Sequence, residues 1–259
     1  MPMMGKNSNC RRICLFDMDG TITNTRRAIE PEMIDVLLKL QTHVPIGLIT
    51  GSDIKSVENQ LGHDLHQMFD YVFVENGMVA YQKGQVFAKK IISEQIGEEK
   101  LQEVINFVLH YLADLHLPIK RGCFVECRTG MINICPMGRC NSTLEDRRIF
   151  CEYDKKHKVR EKMVKTLRER FSSSGLKFSI GGQTSFDVYP MGWDKTFCLQ
   201  YLDQEYKEIY FFGDRTSQDG NDYEIFHDSR TISHTVTSPE HTKQLLQQLF
   251  FNQPPNTDP

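Results

Sequence analysis

The stretch Ile13-Cys14-Leu15-Phe16-Asp17-Met18-Asp19-Gly20-Thr21-Ile22-Thr23 decides how the chain folds. Its apolar start reads as a buried parallel strand. The strand stops at one carboxylate, Asp17, and a second, Asp19, follows at once. Gly20 then frees the chain to turn. Asp17 therefore stands at a strand C-terminus, where open α/β sheets place their ligands. Two close carboxylates suit a hard cation such as Mg²⁺. A carboxylate can also attack phosphorus and carry it as an aspartyl-phosphate. Asp17, held by the strand, is the candidate nucleophile. Asp19, on the turn, is the candidate general acid and base. A bare Asp-x-Asp more often just opens a loop; the full Asp-x-Asp-Gly-Thr after an apolar strand favours chemistry.

Outward from this stretch, the sequence alternates. Ala28 to Leu40 has apolar residues at helical spacing, with Pro31 fit for a first turn. Pro45 to Ile49 reads as a second strand, ending at Thr50-Gly51-Ser52-Asp53. Ser52 or Asp53 caps a helix that runs to Leu61 and stops at Gly62. Tyr71 to Val74 is a third strand, ending at Glu75-Asn76-Gly77. Strands alternating with helices predict a parallel sheet with crossover helices.

The rhythm then breaks. A hairpin over Met78 to Ile92 is expected to lead out of the sheet. A helix follows over Glu98 to Leu117, then a hairpin about Thr129-Gly130. Next come a helix over Lys156 to Phe171 and a second hairpin about Gly182. This α+β block, 87–189, is expected as a domain inserted between core segments 1–86 and 190–259. After Trp193 come a short helix (Thr196 to Tyr201), a strand (Glu208 to Phe212), a strand from Arg230 to Val236 and a closing helix (Thr242 to Phe251). Residues 1–11 and the Pro- and Asn-rich C-terminus read as loose ends.

Composition sets limits on function. With 259 residues, 39% hydrophobic and 25% charged, the chain is an ordinary globular protein. A formal charge of −3 points to neither nucleic acid nor an anionic membrane. No apolar run approaches the roughly 20 residues that span a bilayer, and the polar stretch Met1 to Asn9, without an apolar segment, is not expected to act as a secretory signal. The eight cysteines, Cys10 among them, form no Cys-x-x-Cys pair and read as reduced thiols, mostly buried. A cytoplasmic protein is expected. The basic residues Lys155, Lys156, Lys158, Arg160, Arg168 and Arg170 read as a solvated helix face.

A parallel sheet gathers its strand C-termini at one edge, so Asp214, ending Ile209-Tyr210-Phe211-Phe212-Gly213, joins Asp17 and Asp19. Three carboxylates there make a credible Mg²⁺ site. Thr50 or Ser52 can donate a hydroxyl to a phosphoryl oxygen. Lys195 can neutralise charge that moves during transfer.

These four strand-end motifs resemble those of the haloacid dehalogenase superfamily. Leu15 to Thr21, Glu75-Asn76-Gly77, Gly130 to Asn133, Pro136 to Arg139 and Phe178 to Gln183 resemble, more narrowly, the eukaryotic phosphomannomutase family. So do Ser185 to Val188, Gly192 to Lys195 and Phe211 to Asp214. The resemblance implies a Rossmann-like α/β core with a late-inserted α+β cap. It also implies Mg²⁺, activation by a hexose 1,6-bisphosphate, hexose phosphate substrates and a homodimer formed through the caps. The activity implied is exchange of mannose 6-phosphate and mannose 1-phosphate, feeding GDP-mannose synthesis, and glucose phosphates are not separated from mannose phosphates.

The resemblance also carries residues. Arg26, Arg128, Arg139 and Arg147 match phosphate contacts, and Ser185 and Asp187 match sugar and phosphate contacts. Asp17, Asp214 and the Asp19 backbone carbonyl match metal ligands. Phe226 (by its carbonyl), Asp228 and Thr231 match a second cation site, and Asn221 and Asp222 match a loop that orients Asp214. One extra residue after Arg139 leaves Arg147 and Arg148 as rivals, with the count back from Asp154 favouring Arg147. An arginine set fits a mutase, which must hold a second phosphate away from the nucleophile. The alternatives are a sugar-phosphate or hexose-bisphosphate phosphatase and, more remotely, a sugar-phosphate-binding regulator without catalysis.

Overall fold

The computed structural model describes residues 12–218 and 220–251. The loose ends expected at 1–11 and 252–259, and Cys10 with them, lie outside the described residues. The described chain divides into two compact units. The first runs to Ala88 and resumes over Lys195–Ser217 and from Asp222; the second comprises Lys89–Asp194 and Gln218–Asn221.

In the first unit, β1 (Arg12–Phe16) leads to α1 (Pro31–Gln41), β2 (Ile46–Ile49), α2 (Ile54–Leu61), α3 (Leu65–Met68) and β3 (Tyr71–Val74). Proline sits in the first turn of α1. Of the two candidate caps for α2, Asp53 serves: its side chain accepts from the Ser56 N–H at 2.9 Å. Then β4 (Val79–Gln82) and β5 (Gln85–Lys89) follow. The hairpin expected to leave the sheet instead extends it. β4 pairs antiparallel with β3, and β5 forms the edge.

The second unit holds α4 (Ile92–Ile96), α5 (Glu98–Asp114), β6 (Val125–Cys127), β7 (Ile132–Ile134), α6 (Leu144–His157), α7 (Val159–Arg170), β8 (Leu176–Ser179) and β9 (Phe186–Pro190). Its strands form an antiparallel sheet in the order β6-β7-β9-β8. α5 buries Leu101, Val104, Val108 and Leu112, and α7 buries Val159, Met163, Val164 and Leu167. The single helix expected from Lys156 is two helices. Lys158, at φ 57°, ends α6 and begins α7. α6 escapes a periodicity search because Phe150 is its one buried apolar residue. Its start is nevertheless encoded: Thr143 and Asp146 form a reciprocal capping box.

Two residues assigned to a solvated basic face are structural. Arg160 donates to Asp154 at 2.7 Å and to the Gly182 carbonyl at 2.6 Å; Arg168 donates to the Phe178 carbonyl at 2.7 Å. The seven described cysteines are free thiols, but only Cys14, Cys135 and Cys198 are buried.

The first unit closes with a 3₁₀ turn over Lys195–Tyr201, then β10 (Glu208–Gly213), α8 (Tyr223–His227), β11 (Thr231–Thr235) and α9 (Pro239–Leu246). The seven-stranded sheet has the order β11-β10-β1-β2-β3-β4-β5, parallel from β11 to β3. β1 is apolar throughout its buried length because both faces are covered. Cys14 and Phe16 join a core with Leu37, Leu48 and Val72. Ile13 and Leu15 face the other way, into a core with Phe73, Leu199 and Phe211. The order reverses at β1: the chain steps outward through β2 and β3, then returns to lay β10 on the opposite side. Such a switch point gathers loops at the carboxyl ends of β1 and β10.

Candidate active site

At that switch point, Asp17 follows β1 and donates its backbone N–H to the Phe212 carbonyl at 2.9 Å. Its side chain is buried against Lys195, whose Nζ donates to Asp17 Oδ1 and, at 2.7 Å, to Asp222 Oδ1. Lys195 is 1% exposed and Asp222 is fully enclosed. The Arg215 N–H donates to Asp222 Oδ2 at 3.0 Å and holds the second carboxylate in place.

Asp17, Asp214 and Asp222 each offer a carboxylate oxygen, all within 4.8 Å of one another. Asp214 Oδ1 is buried with no hydrogen-bond partner among the described residues. One lysine therefore faces three carboxylates. Burial pushes the Asp17 carboxyl well above the usual range, opposed by Lys195 and reinforced by Asp222 and Asp214. Burial, then Asp222, raises Asp214 to about 6. For Lys195, burial acts to lower the pKa, but the two carboxylates outweigh it and keep the ammonium charged. An oxygen-rich, anionic cluster with an unpartnered buried oxygen fits a hard divalent cation.

Backbone geometry makes this crowding possible. Gly20 has φ +88°, and a Cβ there would sit 2.5 Å from Asp214 Oδ2. A Cβ on Gly213 would sit 2.6 Å from Asp222 Oδ2. Both positions tolerate only a residue without a side chain. Asp19 lies on the turn, and its Oδ1 accepts the Arg26 backbone N–H at 2.6 Å.

The second unit gathers Arg128 just after β6, Arg139 in the loop after β7 and Arg147 on α6 around Glu126, Asn133 and Asp187 of β6, β7 and β9. Arg139 Nη1 donates to Asn133 Oδ1 at 2.7 Å. Asn133 Nδ2 donates in turn to Asp187 Oδ1 at 2.7 Å and Ser185 Oγ at 3.2 Å. Arg128 and Arg139 both face Glu126, at 2.7 Å and 3.4 Å. Arg147 reaches Thr184 Oγ1 at 3.2 Å, beside Ser185. Arg148 instead pairs with Glu145 and Glu152 on an exposed stretch of α6. Of the two rivals, Arg147 is the one directed at the cluster.

The eukaryotic phosphomannomutase family profile matches residues 33–252. The chain belongs to the eukaryotic phosphomannomutase family. Phosphomannomutase 1 of Dictyostelium discoideum is 54% identical over 243 residues, covering 93% of this chain and 97% of that protein. The phosphomannomutase of Oryza sativa subsp. indica is 49% identical over 249 residues, covering 96% of this chain and all of that protein. Among solved structures, a haloacid dehalogenase-like hydrolase from Bacteroides thetaiotaomicron superposes with a TM-score of 0.57 at 12% identity, covering 92% of this chain and 99% of that one. At that identity the likeness concerns the fold, a Rossmann-like haloacid dehalogenase core with an inserted α+β unit.

Within this phosphomannomutase-family chain, Thr50 and Ser52 occupy the loop after β2. Thr50 is buried, and its Oγ1 accepts the Ser52 N–H at 3.1 Å. That loop is tied to the one after β3 by Asn76 N–H to Thr50 O and Glu75 N–H to Ser52 O. Glu75, Asn76 and Gly77 all have positive φ, a strained run that a functional loop can hold. Asp228 and Thr231 lie together after α8, with Phe226 inside it. There Arg230 grips the Asp228 carboxylate through Nε at 2.9 Å and Nη2 at 2.8 Å, while Thr231 Oγ1 donates to the Ile225 and Asp228 carbonyls. A cation bound by the Asp228 carboxylate would have to displace that guanidinium.

Three contributors were understated by the sequence reading. Asp222 stands in the carboxylate cluster itself and not merely in a supporting loop. Glu126 and Asn133 link the arginines. Only Asn133 belongs to a stretch that resembles the family; the strand positions of both carry no signal of what they face.

Proposed function

We propose that this chain interconverts mannose 6-phosphate and mannose 1-phosphate through an aspartyl-phosphate on Asp17 and a hexose 1,6-bisphosphate that primes it. The observation that carries this reading is the buried Asp17–Lys195–Asp222 arrangement at the β1–β10 switch point. It supplies a fixed nucleophilic carboxylate beside a fixed positive charge. In this reading Asp17 attacks phosphorus in line. Asp19 takes the proton of the attacking sugar hydroxyl and returns it to the leaving oxygen. Lys195 and a hydroxyl from Thr50 or Ser52 stabilise charge on the phosphoryl oxygens as it moves. Arg26, Arg128, Arg139 and Arg147, with Ser185 and Asp187, hold the sugar and the phosphate that is not reacting.

Asp17, Asp214 and the Asp19 carbonyl would hold Mg²⁺, with Asp222 beside them; the ion supplies charge neutralisation when bound. Phe226, Asp228 and Thr231 remain the proposed second cation site. The family resemblance supports a homodimer through the inserted units, a cytoplasmic location and a place ahead of GDP-mannose. No described helix is long and apolar enough to cross a membrane.

The test is turnover of mannose 1-phosphate with Mg²⁺, with and without a trace of glucose 1,6-bisphosphate, following mannose 6-phosphate and free phosphate together. Mannose 6-phosphate that depends on the bisphosphate, with little free phosphate, is the expected result. Free phosphate without the isomer would make the chain a phosphatase.

A further inference from the structure

Glu126 does something unusual for a residue beside a phosphate site. Its Oε2 accepts from Arg128 Nε at 2.8 Å, lies 2.7 Å from Arg128 Nη2, and lies 3.4 Å from Arg139 Nη1. One carboxylate oxygen thus serves two guanidinium groups. Both arginine side chains are largely enclosed, at 5% and 17% exposure, while Glu126 is 33% exposed. Arginine does not discharge, so the two cations need an anion between them.

The other carboxylate nearby is placed differently. Asp187 is tethered by Asn133 Nδ2 at 2.7 Å, and Asn133 also carries Arg139. Loss of solvation pushes the Asp187 carboxyl up, opposed by Arg128 and then by the Asn133 hydrogen bond. Asp187 is therefore a fixed part of the scaffold. Glu126 is the anion with room to swing toward solvent. A phosphoryl group, with more acceptor oxygens, pairs with guanidinium forks better than one shared carboxylate oxygen does.

We propose that Glu126 is an exchangeable internal stand-in for phosphate, a positioning residue that holds Arg128 and Arg139 ready and is displaced when a phosphoryl group arrives. The identity of that ligand rests on the mutase reading above. Binding becomes an exchange of one anion for another. The arginines stay ordered between substrates, and the bound phosphate is held less tightly than two unopposed arginines would hold it. A site that must release a phosphate between two transfers works faster for that.

The experiment uses the full-length chain and inorganic phosphate as probe, by titration calorimetry, with mannose 1-phosphate kinetics alongside. Glu126→Gln is expected to bind phosphate about tenfold more tightly, a change of roughly 1.4 kcal/mol. Its KM is expected to fall without a rise in kcat. Its melting temperature is expected to drop in phosphate-free buffer and to recover on adding phosphate, more than the wild type does. Glu126→Asp, which keeps the charge but loses the reach to both arginines, is expected to move in the same direction and serves if the Gln variant does not fold. Unchanged or weaker phosphate binding, or a raised KM, in the variants would make Glu126 part of the fixed scaffold and overturn the proposal. Arg139→Ala separates the two readings. If it abolishes the phosphate binding that Glu126→Gln fails to strengthen, the arginine site stands and only the stand-in falls. If phosphate binding ignores Arg139, both fall.

Discussion

At the residue scale, Lys195 concentrates the electrostatics of the first unit. It is enclosed, touches Asp17 and Asp222, and stands where a solvated lysine in a helix's first turn would be unremarkable. Lys195→Met leaves two buried carboxylates without their cation. Breaking a buried pair from one side costs about 3–5 kcal/mol, so a lower melting temperature is expected together with lost turnover. Asp17→Asn removes the proposed nucleophile; neither turnover nor acid-stable, base-labile phosphoprotein is expected after incubation with labelled glucose 1,6-bisphosphate. Gly20→Ala adds a Cβ 2.5 Å from Asp214 Oδ2 at φ +88°. It is expected to displace Asp214 and to raise the Mg²⁺ concentration needed for half-maximal activity, read by a metal titration. These residues were legible from their types and their strand-end positions. Asp222 was less so, because a carboxylate in a loop carries no sign of which neighbour it will meet.

At the element scale, α6 shows what a polar helix depends on. Having little apolar face, it relies on its ends: the Thr143–Asp146 capping box at one, and Asp154 at the other, which accepts from Arg160. Thr143→Ala is expected to cost about 1 kcal/mol, measured by chemical denaturation. The Asp146 carboxyl is held below the usual carboxylate range first by the Thr143 N–H; desolvation opposes this, and the Thr143 side chain and Arg121 lower it further. A depressed pKa means the unfolded chain takes up the proton first on acidification. The stability Asp146 contributes is therefore present above the ordinary aspartate pKa of about 4 and is lost as pH falls through the folded value. Thermal melts of wild type and Asp146→Asn are expected to differ at pH 6, with the difference shrinking as the pH is taken below about 4. Sequence periodicity registered α5 and α7 because they bury an apolar stripe, and it passed over α6 because that helix has none.

At the scale of the whole molecule, the proposed Mg²⁺ site would couple metal binding to the stability of the first unit. A ligand that binds only the folded state stabilises by about 2.7 kcal/mol at one hundred times its dissociation constant. Mg²⁺ is expected to raise the melting temperature of the wild type, and chelation to reverse the rise. Asp214→Asn is expected to abolish that shift, since it removes a carboxylate whose buried oxygen has no protein partner among the described residues. A full Mg²⁺ response in that variant would place the ion elsewhere.

The sequence by itself determined the parallel core, the break in rhythm and the strand-end acids. Each of these depends on local chemistry: apolar runs for buried strands, carboxylates and glycines where strands end. Tertiary structure alone decided which groups meet. It kept β4 and β5 in the sheet, because an edge strand still offers unpaired backbone groups. It brought Asp222 onto Lys195 and turned Arg147 toward Thr184 while Arg148 pairs along α6 with Glu145 and Glu152. It also set Glu126 between two arginines. Most of these contacts join residues well separated in the chain, and even for neighbours such as Glu126 and Arg128 the spacing along a sequence does not encode which side chains meet.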